Sequence, residues 1–477
     1  MSPAQSQPIL VGGRWEESEL ELVSRAPGTA DEIGRTFRAT AEQLDRATQD
    51  AVTAFGVTRK LASFERSELL RRISEGIVAT RDELARLLAL EAGKPLADSR
   101  TEVERTAFAF RYAAEEAERI NGELLPLDLI PTSRGKWAIT RRVPLGPVAG
   151  ISPFNVPLSL SAHKLAPALA AGNTIVLKPD SRVALTLLLL ARIMVDAGVP
   201  EGAVSMLPMD IAVADAMVTD PRFRLLSFTG SARVGWDMRA RAGTKNVVLE
   251  LGGDAAVIVT EDADLDAVVK RILTGAFKHA GQICISVQRV YAHRSLAAEL
   301  TRRLVEESRE LKVGPPLDPA SQIGPMISEE AAQRAVALID DAVGRGAELL
   351  IGGSREGAYV APTILTGVPD GARLSREEAF APILSVQPFD DLTEAIALVN
   401  DSDYGLQAGV FTRDIRAIWQ AFEDLDVGGV IVGDIPGYRI DHMPYGGVKQ
   451  SGTGREGIRY AIEHMTELRT LVITPES

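Results

Sequence analysis

Over a long central part of the chain, short apolar runs alternate with longer stretches in which apolar residues recur at helical spacing. The apolar runs at 147–151 and 174–177 are followed by helix-like stretches near 158–171 and over 184–197, and the same rhythm continues beyond them. Alternation of this kind over about a hundred residues is typical of a parallel, doubly wound sheet with helices on its faces. The sequence therefore predicts an α/β fold.

A second alternating series extends from Ala255 to about Val432, so we expect two α/β domains that join near residues 250–254. Upstream of both, apolar residues at helical spacing between Thr40 and Gly122 predict helices. The segments 136–143 and 467–473 are strand-like, and because neither domain has room for them they predict a separate small sheet suited to oligomerisation. The predicted organisation is a first domain at 1–122 and 144–250, a second domain at 251–433, and oligomerisation strands at 123–143 and 465–477.

The charge balance and the apolar runs exclude two classes of partner. The chain carries 52 basic and 65 acidic residues, a net charge of −13, and a negative protein repels both phosphate backbones and anionic membrane surfaces. The longest apolar stretch, at 183–191, is far shorter than the ~20 residues of a membrane span. Residues 1–17 have no basic segment followed by an apolar one, so we expect no signal peptide.

Cys284 is the single cysteine, which excludes an intrachain disulfide and a cysteine-based zinc site and fits a reducing cytoplasm. It lies in a turn between a predicted helix at 264–280 and a predicted strand at 287–292. On composition alone it is a small buried side chain, and the alternative is a nucleophile whose thiolate forms at the turn. No metal site is predicted, because no pattern such as H-E-x-x-H includes the five histidines, which are His163, His279, His293, His442 and His464.

The segment Gly452-Thr-Gly-Arg-Glu-Gly457 matches the dinucleotide-binding pattern G-x-G-x-x-G. That pattern requires a strand before it and an acidic residue about 20 positions later. Here the preceding residues are mostly glycine and polar, and the chain ends at Ser477. We therefore expect a turn that starts the last helix rather than a pyrophosphate site.

Polar residues follow several predicted strands, at the edge where an open α/β sheet binds ligands. Glu250 closes an apolar strand before two glycines, and it is either a ligand-side carboxylate or a salt-bridged edge residue. Asn155 and Lys178 also follow strands; an amide can donate to an oxyanion, and a lysine can bind ribose hydroxyls or a phosphate. Ser231 stands at a strand-to-helix turn, where free N–H groups and the helix dipole suit a phosphate. Any one of these residues alone could be structural.

Six separated motifs in a fixed order resemble the aldehyde dehydrogenase superfamily, from about residue 10 to the C-terminus. They are Pro153-Phe-Asn155, Lys178-Pro179, Phe228-Thr-Gly-Ser231, Leu249-Glu-Leu-Gly-Gly253, Gly281-Gln-Ile-Cys284 and Glu378-Ala-Phe-Ala-Pro382. The resemblance implies a fold with a cofactor-binding first domain, a catalytic second domain and a small β arm that forms a homodimer or homotetramer. It also implies that Cys284 is the nucleophile, which reverses the expectation from composition.

By this resemblance, the Cys284 thiolate attacks an aldehyde, and the Asn155 side chain and the Cys284 backbone N–H form the oxyanion hole. Loss of a hydride to the nicotinamide leaves a thioester, and Glu250 activates the water that hydrolyses it. Members of the superfamily that pass the acyl group to coenzyme A look different at this glutamate. Glu250 therefore favours hydrolysis to a free acid.

The resemblance also implies contacts with a nicotinamide cofactor. These are Ser152 and Phe154 on the nicotinamide side, Lys178 at the adenosine ribose, Ser231 at the pyrophosphate, Leu251 in the nicotinamide pocket, and Glu378 and Phe380 at the nicotinamide ribose and ring. One position departs from the pattern of strictly NAD-preferring members, which usually carry a glutamate three residues after the lysine, where this chain has Ser181. A carboxylate would repel a 2′-phosphate and a serine would not, so NAD and NADP are both expected.

The stretch from Val430 to Gly452 resembles the branch that contains lactaldehyde, phosphonoacetaldehyde and related small-aldehyde dehydrogenases. Phosphonate-specific members tend to have a basic residue just before the nucleophile, whereas this chain has Ile283. Ile283 and Ile285 indicate a partly apolar pocket. Arg105 and Arg439 are candidate cations for an acidic aldehyde, with ordinary surface arginines as the alternative. We expect a small or medium aliphatic aldehyde as the substrate.

Two other functions stay open at this point. The same active-site chemistry could hydrolyse activated esters without any nicotinamide. A non-catalytic protein that keeps the fold would be expected to have lost Cys284, Glu250 or Asn155, yet all three are present. A panel of aldehydes offered with NAD and NADP separates these possibilities.

Overall fold

The computed structural model describes residues 6–474, and the predicted domain residues 1–5 and 475–477 lie outside this range. The helices within it are α1 (Ala41–Thr58), α2 (Ser63–Ala79), α3 (Arg81–Ala92), α4 (Leu96–Arg119), α5 (Pro157–Ala171), α6 (Ala184–Asp196), α7 (Ile211–Thr219), α8 (Ala232–Arg241), α9 (Leu265–Phe277), α10 (Arg294–Ser308), α11 (Glu329–Gly344), α12 (Leu392–Asn400), α13 (Ile415–Asp424) and α14 (Ile458–His464).

The strands are β1 (Ile9–Val11), β2 (Arg14–Glu16), β3 (Glu21–Arg25), β4 (Glu32–Phe37), β5 (Leu124–Pro126), β6 (Trp137–Pro144), β7 (Val148–Ile151), β8 (Ile175–Lys178), β9 (Val204–Met206), β10 (Leu225–Thr229), β11 (Asn246–Glu250), β12 (Ala256–Val259), β13 (Arg289–His293), β14 (Glu348–Ile351), β15 (Arg355–Glu356), β16 (Tyr359–Val360), β17 (Thr363–Thr366), β18 (Ile383–Phe389), β19 (Tyr404–Gly405), β20 (Gln407–Phe411), β21 (Gly429–Val432), β22 (Val448–Lys449), β23 (Gly452–Thr453) and β24 (Thr466–Ile473).

The first large sheet has eight strands in the order β2-β1-β9-β8-β7-β10-β11-β23. Its five central strands, from β9 to β11, are parallel. The chain moves outward from β7 to β9 and then returns to place β10 on the other side of β7. In an open α/β sheet, such a reversal of strand order leaves a crevice at the carboxyl ends of the two strands, where ligands bind.

The second large sheet has seven strands in the order β14-β17-β18-β13-β12-β20-β21, and all but β14 run parallel. β11 ends at Glu250 and β12 begins at Ala256, so only a short connection joins the two sheets. The loops that precede β12, β13 and β18 reach the crevice of the first sheet, because Gly252, Cys284 and Glu378 line one cavity together with Thr229 from the end of β10. The α/β fold predicted from the alternation is confirmed, with the carboxyl edge of one sheet facing the amino edge of the other.

A third sheet consists of the strands β24, β6 and β5. β24 pairs antiparallel with β6 over its whole length, from Thr466 opposite Pro144 to Ile473 opposite Trp137. These are the two segments that the sequence assigned to a separate small sheet. Their predicted role in oligomerisation, and the predicted domain boundaries, stay predictions.

Helix α5 is buried at every one of its positions, most of which are alanine, leucine or serine, and its two basic residues, His163 and Lys164, are paired with Asp441 and Glu456. Its first turn begins at Pro157, where the missing N–H costs nothing. The carboxylate of Glu102 accepts hydrogen bonds from the backbone N–H groups of Leu158 (2.9 Å) and Ser159 (3.3 Å), so a buried acid caps the helix. This cap fixes the start of α5 and with it the loop that carries Asn155.

The predicted helix 264–280 is shorter in the structure, because α9 ends at Phe277. His279, Ala280 and Gly281 follow with φ angles of 49°, 52° and 69°, three left-handed residues in a row. At Gly281 a Cβ atom would lie 2.1 Å from the carbonyl oxygen of Ala381, so only glycine fits there. Apolar spacing cannot reveal this turn, since a contact with a segment a hundred residues away determines it.

The segment 452–457 leads into α14, as expected, but its first two residues form β23. β23 pairs antiparallel with β11, with Gly452 opposite Glu250. The segment therefore extends the first sheet rather than forming a phosphate-binding loop after a parallel strand.

Candidate active site

Two cavities meet at Cys284. The first, of about 380 Å³, lies between the two large sheets and is named here the sheet cavity. The second, of about 130 Å³, lies against α4 and α5 and is named the helix cavity. Cys284 and Asn155 line both of them, so a group bound in either cavity reaches the same sulfur and the same amide.

The Cys284 side chain is partly buried in the loop between the left-handed turn and β13. Its Sγ lies 3.0 Å from the hydroxyl oxygen of Tyr445, and both side chains pack with Ile285 and Leu406 in a small apolar cluster. Burial raises the pKa of the thiol to about 12, although the hydrogen bond with Tyr445 and the charge of Arg439 act in the opposite direction. The thiol can therefore act as a nucleophile only if neighbouring groups stabilise its thiolate.

Asn155 is buried, and its Nδ2 donates a hydrogen bond of 2.9 Å to the backbone carbonyl of Gln282, two residues before the cysteine. This bond fixes the amide beside the nucleophile. Because an amide nitrogen carries two hydrogens, the second one is available to an oxygen bound near Cys284. The placement fits an oxyanion donor.

Glu250 is the last residue of β11 and is only 3% exposed. Neither carboxylate oxygen has a hydrogen-bond partner among the residues that the structure describes. Burial raises the pKa of Glu250 well above its ordinary value, and the negative charge of Glu456 adds to this effect. The side chain lines the sheet cavity with Cys284, so a buried carboxylate with proton affinity lies on the same cavity wall as the sulfur.

Behind Glu250 lies a buried set of charges. Lys164 donates hydrogen bonds from its Nζ to Ser227 (3.0 Å) and Thr229 (2.8 Å), and it forms an ion pair of 3.4 Å with Glu456. Arg439 pairs with the same carboxylate at 2.9 Å. Burial alone would raise the pKa of Glu456, but these two cations hold it at about 2. Glu456 therefore stays ionised beside Glu250 and favours the protonated form of the latter.

The walls of the sheet cavity suit a flat ring. The rings of Phe154 and Phe380 meet edge to face at 6.1 Å, and Leu251 lies on the same cavity. Glu378 accepts a hydrogen bond of 2.9 Å from the backbone N–H of Gly253 through one oxygen. Burial raises the pKa of Glu378 to about 7, and a Cβ atom on Gly252 would lie 2.4 Å from its other oxygen. The glycine therefore allows the carboxylate to enter the cavity.

Ser231 is the N-cap of α8, and its side chain makes no capping hydrogen bond. Thr229, Gly230 and Ser231 line the sheet cavity where this helix begins, so the hydroxyl and the first N–H groups of the helix face a possible anion. An apolar slot with a carboxylate at one end and a helix N-terminus at another fits a nicotinamide dinucleotide.

Three of the predicted cofactor residues do not line the sheet cavity. The hydroxyl of Ser152 accepts a hydrogen bond of 2.9 Å from Ser161. Lys178 ends β8 and is partly buried, and burial lowers its pKa. Ser181 begins a short 3₁₀ turn, and the guanidinium of the next residue, Arg182, lies 4.3 Å from the centre of the Phe154 ring. Lys178 and Ser181 therefore lie at the carboxyl end of β8, along the same sheet edge.

The helix cavity contains all four predicted substrate residues, Arg105, Ile283, Ile285 and Arg439. Arg105 is a third exposed and donates from Nη2 to Asp441 at 2.7 Å. The guanidinium of Arg439 lies 3.8 Å from the centre of the Tyr445 ring, so its charge is shared between that ring and Glu456.

Several site residues have no signal in the sequence. Tyr445 touches the sulfur from a distant segment, and Arg334 donates from its guanidinium to the backbone carbonyls of Glu378 and Ala379. His279 lines the helix cavity, and neither ring nitrogen has a partner within the described part of the chain. The last motif of the sequence analysis indicated the segment that Arg334 supports but not the arginine itself.

Residues 6–474 contain no group of three or more His, Cys, Asp or Glu side chains placed to hold a metal ion. No helix in the same range is both long and apolar enough to cross a membrane.

A family model described as "Aldehyde dehydrogenase family" matches residues 15–471. The chain therefore belongs to the aldehyde dehydrogenase family, and the resemblance seen in its motifs is confirmed. It is an NAD(P)-dependent oxidoreductase that acts on the aldehyde group.

Three known proteins illustrate its relationships. The 3-sulfolactaldehyde dehydrogenase of Priestia megaterium is 42% identical over 466 residues, which cover 98% of this chain and 97% of that protein. The crystal structure of aldehyde dehydrogenase 21 from Physcomitrella patens, in complex with the reaction product succinate, matches with a TM-score of 0.97 at 40% identity and covers 99% of both chains. The glyceraldehyde-3-phosphate dehydrogenase GapN from Methanocaldococcus jannaschii, complexed with NADP, matches with a TM-score of 0.92 at 36% identity and covers 96% of this chain and 100% of that one.

Proposed function

We propose that this protein oxidises a short anionic aldehyde to the free carboxylic acid, with Cys284 as the nucleophile. The observation that carries the proposal is that Cys284 and Asn155 form the wall shared by the two cavities. When the carbonyl carbon of a substrate lies at the sulfur, the rest of the substrate occupies the helix cavity and the cofactor occupies the sheet cavity.

In the first half of the reaction, the Cys284 sulfur forms a bond to the carbonyl carbon, and the π electrons of the C=O bond move to the oxygen. The free N–H of the Asn155 amide, held by Gln282, donates to this oxyanion. A bound nicotinamide ring supplies the acceptor for the hydride that leaves the same carbon. The side chains keep the substrate in place and exclude water from the sulfur.

In the second half, Glu250 takes a proton from water while the water oxygen bonds to the thioester carbon and the C–S bond breaks. Its carboxylate is free to do so because no neighbouring residue in the described part of the chain occupies either oxygen. The raised pKa of Glu250 gives it the proton affinity that a general base needs. Release of the free acid, rather than transfer to coenzyme A, follows from this base.

The cofactor would bind with its nicotinamide ring near Phe154, Leu251 and Phe380, its nicotinamide ribose at Glu378 and its pyrophosphate at Ser231. Ser152 belongs to the loop that carries Phe154 and would support it through its hydrogen bond with Ser161. Lys178 would bind the adenosine ribose and Ser181 leaves room for a 2′-phosphate, so both NAD and NADP are used.

The anionic substrate class is supported by the charges that line the helix cavity. Four cationic side chains, Lys94, Arg105, Lys278 and Arg439, line it together with two carboxylates, Asp98 and Glu102, which pair with Lys278 and Lys94. Arg105 is the most suitable cation, because it is partly exposed and donates to Asp441 through Nε and Nη2, which leaves Nη1 for a carboxylate or sulfonate of the substrate. Ile283 and Ile285 would contact the aliphatic part, and the small volume favours a short chain.

The assembly would be a homodimer or homotetramer formed through the third sheet. Leu468 and Leu471 on β24 are 61% and 59% exposed, and exposed leucines on a three-stranded sheet are typical of an interface. The single, unpaired cysteine fits a cytoplasmic location, which we propose as well.

The test is a set of matched aldehyde pairs offered with NAD and with NADP, such as butanal with succinic semialdehyde and acetaldehyde with sulfoacetaldehyde. We expect reduced nicotinamide to appear, with kcat/KM at least about tenfold higher for the anionic member of each pair, because a hydrogen bond to a charged group is worth roughly 1.5–3 kcal/mol. Cys284→Ala, which lacks the nucleophile, is the inactive control. Equal rates within pairs would exclude the anionic class, and ester hydrolysis without any aldehyde oxidation would exclude the dehydrogenase activity.

A further inference from the structure

The hydroxyl group of Tyr445 lies next to the reacting atom of the site. Its oxygen is 3.0 Å from the Cys284 Sγ, in a position where either group can be the donor. Tyr445 is 3% exposed and its ring packs beside Ile285 and Leu406, so the hydroxyl is held in one place by apolar contacts. A polar group fixed at this distance from a nucleophile affects how readily the thiolate forms.

Burial works against the thiolate. It raises the pKa of Cys284 to about 12, and the negative charges of Glu378 and Glu250 act in the same direction. The hydrogen bond with Tyr445 and the positive charge of Arg439 act in the opposite direction. Tyr445, Arg439, Glu378 and Glu250 are the groups with the largest effect on the sulfur. The other charged and titratable side chains that line the helix cavity with it are Lys94, Asp98, Glu102, Arg105, His163, Lys278 and His279.

The direction of the hydrogen bond follows from the surroundings of the phenol. Burial raises the pKa of Tyr445 well above its ordinary value, so the hydroxyl keeps its proton at neutral pH. A protonated phenol next to a thiolate is the donor, and the sulfur is the acceptor. The thiol proton itself passes to solvent when the thiolate forms.

Arg439 lies over one face of the Tyr445 ring. Its guanidinium lies 3.8 Å from the ring centre, and Glu456 holds it there through an ion pair of 2.9 Å. A cation over an aromatic face is attracted to the ring, and it draws electron density from the ring and so makes the phenol a better donor. Arg439 and Glu456 therefore keep the Tyr445 ring at its place against the sulfur.

We propose that Tyr445 is a further catalytic residue, whose hydroxyl donates a hydrogen bond to the Cys284 thiolate, and that Arg439 is a positioning residue that acts through Tyr445. The inference rests on the function proposed above, since it gives the nucleophile a partner. When the sulfur bonds to the carbonyl carbon, negative charge moves from sulfur to oxygen and the bond from Tyr445 weakens. Tyr445 thus stabilises the thiolate before the bond to carbon forms, and Asn155 stabilises the oxyanion that follows.

The test is the pH dependence of alkylation of Cys284 by iodoacetamide in wild type and Tyr445→Phe, with and without NAD. Cys284 is the only cysteine, so the mass increase reports this sulfur alone. We expect the apparent pKa of Cys284 to be higher by about one in the variant, since loss of a hydrogen bond destabilises the thiolate by roughly the free energy that corresponds to one pKa unit. Its thiolate, being less stabilised, should react about threefold faster once formed, so alkylation at neutral pH falls by only about threefold.

The fall separates a lost hydrogen bond from loosened packing, because greater exposure of the sulfur would lower the pKa of the thiol and speed its alkylation. Tyr291→Phe is the matched control: Tyr291 is also a buried tyrosine with an arginine near its ring, but its hydroxyl donates to the carbonyl of Leu398, in another apolar cluster of the second domain. Arg439→Lys, which keeps a charge for Glu456, should shift the profile in the same direction by less. A Tyr445→Phe profile that coincides with wild type, or that lies at lower pH, would overturn the proposal.

Alkylation does not depend on aldehyde turnover. If wild type oxidises no aldehyde while Tyr445→Phe shifts the alkylation profile, the proposed function fails and the bond to the sulfur stands. If wild type oxidises aldehydes and the profile does not shift, the role of Tyr445 fails and the proposed function stands.

Discussion

Replacement of Glu250 by glutamine tests the hydrolytic half of the proposed reaction. The two side chains have the same shape, and neither carboxylate oxygen of Glu250 has a partner within the described residues, so no hydrogen bond is lost. Glu250 also raises the pKa of Cys284 through its negative charge. The glutamine variant should therefore form the thioester at least as readily as wild type while lacking the base that hydrolyses it.

A general base contributes typically 10²–10⁴-fold, so we expect steady-state turnover of Glu250→Gln to fall by about 100-fold or more, or roughly 3–5 kcal/mol of activation free energy. A burst of reduced cofactor close to one per active site should persist. Rapid mixing of enzyme, cofactor and aldehyde, followed by the absorbance of reduced nicotinamide, measures both quantities in one trace. Full turnover in the variant would refute the role of Glu250 as the base. Loss of both the burst and the turnover would show that Glu250 also acts before the thioester forms.

The same variant has a stability signature. Burial raises the folded-state pKa of Glu250 above the unfolded value, so the protonated folded form is favoured at low pH. Between the pKa of Glu250 in the unfolded chain and its pKa in the folded protein, the free energy of unfolding of wild type therefore decreases as pH rises. The glutamine variant does not titrate and does not show this decrease. Thermal unfolding across this window should show Glu250→Gln gaining stability over wild type as pH increases. Wild-type turnover should rise over the upper part of the window, where the carboxylate ionises.

Three further substitutions test other parts of the site. Asn155→Ala should lower kcat by about 100- to 1000-fold, the effect of losing one oxyanion donor, while tight cofactor binding measured by fluorescence persists. Ser181→Glu should lower kcat/KM for NADP at least about tenfold relative to NAD, because a carboxylate repels a 2′-phosphate, and an unchanged ratio would remove Ser181 from the cofactor site. Arg105→Gln should raise KM about tenfold or more for an anionic aldehyde and less than about twofold for its neutral partner, and equal effects on both would indicate a structural arginine.

Much of the fold was predictable because it rests on local patterns. The apolar runs that became β7 and β8 are short and are followed by helical spacing, which is how parallel strands and their crossover helices appear in a sequence. β6 and β24 were assigned to one small sheet because no domain had room for them, and they pair along their whole length. The end of α9 was predicted wrongly, because close packing of Gly281 on Ala381 ends the helical region earlier than the apolar spacing does.

The candidate site was predictable only in part, for a related reason. Cys284, Glu250 and Asn155 lie in motifs that the family resemblance indicated. Tyr445 touches Cys284 across 161 positions, and a tyrosine near a glycine pair has no local pattern that indicates a sulfur as its neighbour. Arg105 and Arg439 were assigned together as candidate cations, yet only the three-dimensional arrangement separates a partly exposed arginine from one stacked on a ring.

The buried charges behind the site explain why these distant segments stay together. Burial of Lys164, Glu456 and Arg439 is tolerable because each of them is paired, and removal of one partner of a buried pair typically costs about 3–5 kcal/mol. Lys164 belongs to α5, whose capped start follows the loop that carries Asn155, whereas Arg439 and Glu456 belong to the C-terminal part that carries Tyr445. A shift of one segment against the other would separate these ions in an apolar environment. The same ion pairs therefore keep the oxyanion donor and the phenol beside the sulfur, and their negative member raises the proton affinity of Glu250.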